Sequence, residues 1–208
     1  MPKSLFNLVL TFVAVVVENL PTMSSQEMEV YVSKPEKLRA ILRKAFGFSP
    51  VLCRVKLGTG LKTSRDFYQA FAEKGMKVDR VGGAMLDQTD IEILDQPMEV
   101  NVVAPTVAEL GFKDGARYPD ICQRGLELGY GLCPFELGPQ LRLQHYGHWN
   151  EWLYLAMEPV KLRVSGDLVI FCIHPDAAST NFLVGKHIGS KNDEFFAGDR
   201  QIVFVCHR

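Results

Sequence analysis

The chain has 208 residues, 47% of them hydrophobic, with 23 basic against 24 acidic side chains and a net charge of -1. That size and composition allow a sizeable core, in one large domain or two small ones. The balanced charge, with no long run of one sign, excludes the electrostatic footprint of a nucleic-acid binder and leaves protein surfaces, glycans and small molecules as ligands.

Met1 to Lys3 followed by the apolar stretch Leu5 to Val17 has the charged-then-apolar layout of a secretory signal. The stretch is far shorter than the roughly 20 residues of a membrane-spanning helix, so no stable span is expected. No small-x-small cleavage site follows in VENLPTMSS, and Met23 opens a polar start, MSSQEMEVYV. Two readings of residues 1–23 stay open: an apolar N-terminal extension and a weak signal. Cys53, Cys122, Cys133, Cys172 and Cys206 are odd in number, widely spaced and without a CxxC pair. This argues against a structural zinc site and against a small disulfide scaffold, and it favours a cytoplasmic over a secreted setting.

Residues 24–97 read as a small α/β region. MEVYV has the pattern of a short strand, and Lys34-Pro35 introduces a helix, EKLRAILRKAFGF, with Leu38, Ile41, Leu42 and Phe46 at helical spacing. A second strand, VLCRVKL, runs into the loop GTGLKT. Ser64 then caps the helix SRDFYQAFAEKG, which buries Phe67, Ala70 and Phe71 and stops at Gly75. In GGAMLDQTDIEILDQP, Gly82-Gly83 and Pro97 mark loops on either side of a possible short element.

Residues 98–208 are richer in strands. MEVNVVAP is a strand, TVAELGFKDGA turns at Asp114-Gly115, and Tyr118-Pro119-Asp120 opens the helix YPDICQRGLELG, which Gly129 and Gly131 stop. QLRLQH and EWLYLAMEPV alternate as strands do, and DLVIFCIH and RQIVFVC are apolar runs of strand length. The polar segment from Pro175 to Arg200 is long for a loop and reads as functional or flexible.

Three stretches invite a chemical reading. GTGLKT places glycines between a strand and a helix, where backbone amides can cradle an anion, but Leu61 stands where a phosphate loop needs Gly, and a plain turn is preferred. His145, His148 and Glu151 in HYGHWNEW are the residue types of a metal-assisted hydrolase. The bland alternative is a hairpin with amphipathic tryptophans at its rim. Cys172 with His174, and Cys206 with His207, are the types of a thiolate-imidazole pair, yet both cysteines lie in apolar strands, where a thiol is more often an inert hydrophobe. Cys206 and His207 also point to opposite faces of a strand.

The pattern ELGFKDGARYPDICQRGLELGYGLCPFELGPQLRLQ, EWLYLAMEPV and the closing RQIVFVC resembles a group of hypothetical proteins abundant in candidate-phylum bacteria, a likeness that carries no activity with it. The C-terminal half also resembles C-type lectin-like domains, including the variable proteins diversified by retroelements. A helix from Ile121 to Gly129, Trp152 on a strand, the segment 175–200 and a last strand from Val203 to Cys206 follow in that family's order. There is no EPN, QPD or WND tripeptide, so calcium-dependent sugar binding is not implied and no cofactor is expected. The likeness places Cys122 and Cys206 where such domains carry a long disulfide. It also places the ligand surface on Asn181, Phe182, His187, Ser190, Asn192, Asp193, Phe195, Phe196 and Asp199.

The expectation is therefore an α+β protein, with a small N-terminal α/β segment and a lectin-like mixed domain rich in antiparallel strands. Its expected role is a non-catalytic module that binds a protein or small-molecule ligand; the alternative is the hydrolase around His145, His148 and Glu151. Phe195 and Phe196 pose the sharpest local question, since two adjacent large rings are either loop anchors or the centre of a ligand surface.

Overall fold

The structure, a computed structural model, describes residues 24, 26, 29, 33, 49, 51–88, 93–145, 151–174, 182–189 and 192–206. Two compact units divide the chain, Met1–Phe48 and Ser49–Arg208. Within the first unit, Gln26, Glu29 and Ser33 have helical backbones, and the Ser33 hydroxyl donates to the Glu29 carbonyl at 2.7 Å. Glu29 belongs to MEVYV, so the strand expected there is corrected to helix at that residue, the rest of the stretch lying outside the described residues. Five alternating residues are too few to outweigh the polar and acidic SSQE run before them, which favours a helix start. The helix expected over EKLRAILRKAFGF and the apolar residues 1–23 lie outside the described residues. No helix among the described residues is long and apolar enough to cross a membrane.

The second unit is an α+β fold with a strand-rich C-terminal part. Its elements run β1 (Val51–Leu57), α1 (Ser64–Glu73), β2 (Lys77–Val78), α2 (Arg80–Leu86), β3 (Met98–Val103), β4 (Ala116–Arg117), α3 (Tyr118–Glu127) and α4 (Leu137–Gln144). The strands β5 (Leu153–Leu155), β6 (Val160–Lys161), β7 (Leu168–Ile173), β8 (Phe182–His187), β9 (Phe195–Phe196) and β10 (Gln201–Cys206) complete it. The main sheet has the order β1-β3-β10-β5-β7-β8-β2, with β6 also paired to β7, and β4 and β9 form a separate two-stranded ribbon. Pairing is antiparallel except for β10 with β5 and β2 with β8. β1 and β2 are thus strands of the same sheet as β3, β5, β6, β7, β8 and β10, so the sheet draws strands from both sides of the boundary expected at residues 97 and 98.

Register assigns the faces. Ile202, Tyr154, Cys172 and Val184 form one row across β10, β5, β7 and β8. Phe204 shares their face, two residues on from Ile202. α3 covers this face, with Gly125 set against the Phe204 ring. The opposite face carries Phe171 and Gly185, themselves register partners. There α4 brings Gly138 against Phe171, and α2 brings Val81 and Gly82 against Gly185. Helices on both faces bury Val203, Phe204, Ile170, Phe171 and Ile173 completely.

Local chemistry explains most elements. Thr63, rather than Ser64, caps α1: its hydroxyl accepts from the Asp66 N–H, and the Asp66 carboxylate accepts from the Thr63 N–H at 2.8 Å, closing a capping box. Those bonds hold the Asp66 carboxyl below the usual range. Gly82 and Gly83 lie inside α2 rather than in a loop: Gly82 lets the helix approach Leu183 and Gly185 of β8, and Gly83 faces the Tyr68 hydroxyl. QLRLQH is helical, not a strand. Pro139 sits in the first turn, where a missing N–H costs nothing, and Leu137 and Leu141 are buried one turn apart. Segment 175–200 is not one loop, since it contains β8 and β9.

Candidate functional site

The ribbon of β4 and β9 carries the most conspicuous exposed ring of the unit. Ala116 pairs with Phe196 and Arg117 with Phe195, both antiparallel. Successive strand residues face opposite ways, so the two phenylalanines separate. Phe196 is 3% exposed, its ring centroid 4.9 Å from that of Tyr154 and 6.0 Å from that of Tyr118. Phe195 is 59% exposed. Its ring lies across Gly115, where an added Cβ would come within 2.6–2.7 Å of two ring carbons. Gly115 has φ +105°, so it both turns the chain into β4 and leaves room for the ring.

The turn before β9 is tightly built. Gly189 at φ +81° and Asn192 at φ 57° reverse the chain after β8, and the Glu194 N–H donates to the Ile188 carbonyl at 3.2 Å. The Glu194 carbonyl then accepts from the Tyr118 N–H at 2.9 Å, and its side chain takes the Lys186 ammonium at 2.7 Å. Lys186 also stands 5.8 Å above the Phe196 ring. This arrangement leaves Asp193 exposed on the turn and Asp199 exposed before β10, the latter 3.8 Å from the Arg200 guanidinium.

Of the nine expected ligand residues, Asn192, Asp193, Phe195 and Asp199 border solvent along this turn and ribbon. His187, the last residue of β8, is half-exposed and stands 3.5 Å from Asp167. Phe196 does not belong to the surface and is corrected to a core anchor. Phe182 opens β8, its backbone in register with Lys77. Asn181 and Ser190 lie outside the described residues. Two neighbours of Phe195 were missed. Gly115 beneath its ring carried a turn signal but no hint of its partner, and Arg117, its exposed cross-strand neighbour, carried none.

No family model, no curated protein and no solved structure matches the chain. The site is therefore read from its geometry. The His145 Nε2 lies 2.7 Å from the Arg54 carbonyl, to which only a protonated nitrogen can donate. Glu151 is exposed, and His148 lies outside the described residues. Among the described residues no three His, Cys, Asp or Glu side chains converge as metal ligands. In GTGLKT the Gly58 N–H is already bound by the Glu136 carboxylate at 2.9 Å, so a negative group occupies the place a phosphate would take.

The five cysteines are free thiols, so Cys122 and Cys206, which fall where lectin-like domains often carry a long disulfide, are not bonded to each other. Burial pushes the Cys122 thiol up to about 11 and those of Cys53 and Cys172 to about 12, and it raises Cys133 as well. Cys133 donates to the Val203 carbonyl at 3.1 Å. His174 packs edge-on against Trp152, with centroids 4.3 Å apart. A thiol of pKa about 11 is ionised to only about one part in a thousand at pH 8, and the thiolate is the nucleophile. Iodoacetamide at pH 8 is therefore expected to leave Cys53, Cys122, Cys133 and Cys172 unmodified in the native protein and to modify them in guanidinium. Intact-mass spectra check this, and rapid native labelling of Cys172 would contradict it.

A cleft of about 660 Å³ opens elsewhere, between the segment before α4 and the segment joining β5 to β6. Leu94, Leu132, Phe135 and Met157 give it an apolar lining, with Glu158 and Lys161 exposed beside them. It lies where β5 leaves β7: the Phe171 N–H meets the Met157 Sδ at 3.4 Å instead of a strand carbonyl. The Tyr118 hydroxyl ties this segment down. It accepts from the Met157 N–H at 2.8 Å and shares its own proton between the Leu155 and Met157 carbonyls.

Proposed function

We propose that this protein is a non-catalytic binding module that meets a protein or small-molecule ligand with the outer face of the β4–β9 ribbon and the turn before it. Phe195 is the apolar centre of that face. Arg117, Asp193 and Asp199 supply its polar contacts, with His187 at the end of β8 and the half-buried Asn192 shaping the turn. The observation that carries the reading is the opposed fate of two adjacent rings. Phe196 locks the ribbon to Tyr154 and Tyr118, and the same strand holds Phe195 59% exposed. Binding residues concentrate on segments that a rigid scaffold positions, and a large exposed ring on a soluble surface calls for a reason. Aromatic and small polar side chains together make contact surfaces at low entropic cost. The kinship with C-type lectin-like domains is part of the same proposal. Its support is the order of α3, Trp152 before β5, the turn before β9, and β10.

The test screens wild type and Phe195→Ser in parallel against a glycan array and a peptide display library. A ligand selected on wild type is expected to bind Phe195→Ser about tenfold or more weakly, a loss typical of a central aromatic contact, with the melting temperature unchanged. Equal binding by both proteins would count against the surface. If Phe135→Ala abolished that binding instead, the site would move to the cleft.

A further inference from the structure

Among the described residues β1 is the outermost strand of the main sheet, and its inner side pairs with β3. On its outer side the backbone groups of alternate residues, Arg54, Lys56 and Gly58, would stand open as a template for another strand. All three are met by side chains from one helix and its cap residues. Gln144 accepts from the Lys56 N–H at 2.8 Å and donates to the Lys56 carbonyl at 2.7 Å, so a single amide supplies the acceptor and donor that a neighbouring strand residue would offer. His145 donates to the Arg54 carbonyl at 2.7 Å, and Glu136 accepts from the Gly58 N–H at 2.9 Å. Gln140 ties the set together, donating to Glu136 at 3.1 Å and accepting from Gln144 at 2.9 Å. The spacing of four residues along Glu136, Gln140 and Gln144 puts them on one stripe of α4.

We propose that this stripe is an edge guard, which holds β1 closed to a second copy of the chain. The second copy is the occupant to expect because antiparallel pairing of β1 with β1 about a two-fold axis uses the same edge twice and closes on itself. VLCRVKL has strand propensity, and Val51 and Leu52 at its start are 50% and 41% exposed. Such pairing would cover them. Arg54 and Lys56 on the same strand oppose self-pairing by like charge, and the Glu99 carboxylate 3.6 Å from Arg54 offsets only one of them. Charge thus works with the side-chain ladder, and salt weakens only the charge.

The experiment measures self-association of the full chain by sedimentation velocity over a concentration series, for wild type and for Gln144→Met with His145→Phe. These substitutions keep side-chain bulk and remove the edge bonds. The double variant is expected to dimerise with a dissociation constant at least tenfold below the wild type's, more tightly in high salt. Adding Lys56→Pro, which removes one edge donor and is tolerated on an outer strand, is expected to abolish the dimer. A folded double variant that associates no more than wild type overturns the proposal, and so does a dimer that survives Lys56→Pro. Should the double variant fail to fold, Gln144→Met alone is followed by amide hydrogen exchange. Exchange at Lys56 is expected to rise at least tenfold with Val55 unchanged, and an unchanged Lys56 overturns the guard.

Discussion

Gly125→Ala is expected to destabilise the second unit by about 2–3 kcal/mol, the cost of forcing an extra carbon into a filled core. The sign is the informative part. At an exposed helix interior the same change would stabilise by about 1 kcal/mol, because alanine restricts the unfolded chain and favours the helix. Gly125 is buried in α3, and a Cβ there would penetrate the Phe204 ring at three of its carbons. Phe204 in turn is fully buried and packs beside Tyr130, with ring centroids 5.6 Å apart. Urea denaturation would read the loss as a lower midpoint at unchanged slope. Phe204→Leu combined with Gly125→Ala should recover part of it, whereas Gln123→Ala, exposed on the same helix, should be nearly neutral. A stabilised Gly125→Ala would mean that α3 does not lie on β10 as described.

The second large effect is expected at Glu136, a carboxylate with no exposed surface. Its Oε1 accepts from the Gly58 N–H at 2.9 Å and from the Gln140 amide at 3.1 Å, and its Oε2 from the Leu94 N–H at 3.3 Å. One side chain therefore satisfies the loop after β1, the segment before β3 and its own helix. Glu136→Leu keeps the bulk and strands those donors, so a loss of about 2–5 kcal/mol is expected, since each unpaired buried polar group costs about 1–3 kcal/mol. Glu136→Gln retains one acceptor oxygen and should lose less. Thermal denaturation orders the three proteins as wild type, Gln, Leu. If the Leu variant matched or exceeded wild type, the carboxylate would not be holding those segments.

The legible and illegible parts of the fold separate by the range of the forces that shape them. β3, β7 and β10 could be read because continuous apolar runs such as LVIFCI and QIVFVC have little alternative to a strand buried on both faces. α1 and α3 could be read from spacing and punctuation, with Pro119 in the first turn and a glycine after the end. QLRLQH misled because its alternation is real, but Gln144 and His145 serve the edge of β1, 88 and 91 residues away. FLVGKH was hidden in a polar segment because Leu183 alone among its described side chains is fully buried, and a small Gly185 admits α2. Of the candidate site, the sequence marked residues between 181 and 199, but could not name Arg117 or Gly115, which come from before α3.

The pair Phe195-Phe196 shows where the division falls. The sequence alone set two large rings side by side; adjacent residues in extended chain face opposite ways, so once they enter β9 one ring goes in and the other out. Which one goes in was decided by tertiary structure. The register of β9 on β4 sets Phe196 opposite Ala116, with Tyr118 and Tyr154 against its ring, and sets Phe195 opposite Arg117, over Gly115. The physical reason is that alternation is a property of neighbouring bonds, whereas register is chosen by partners far along the chain, and those partners compete on burial rather than on local preference.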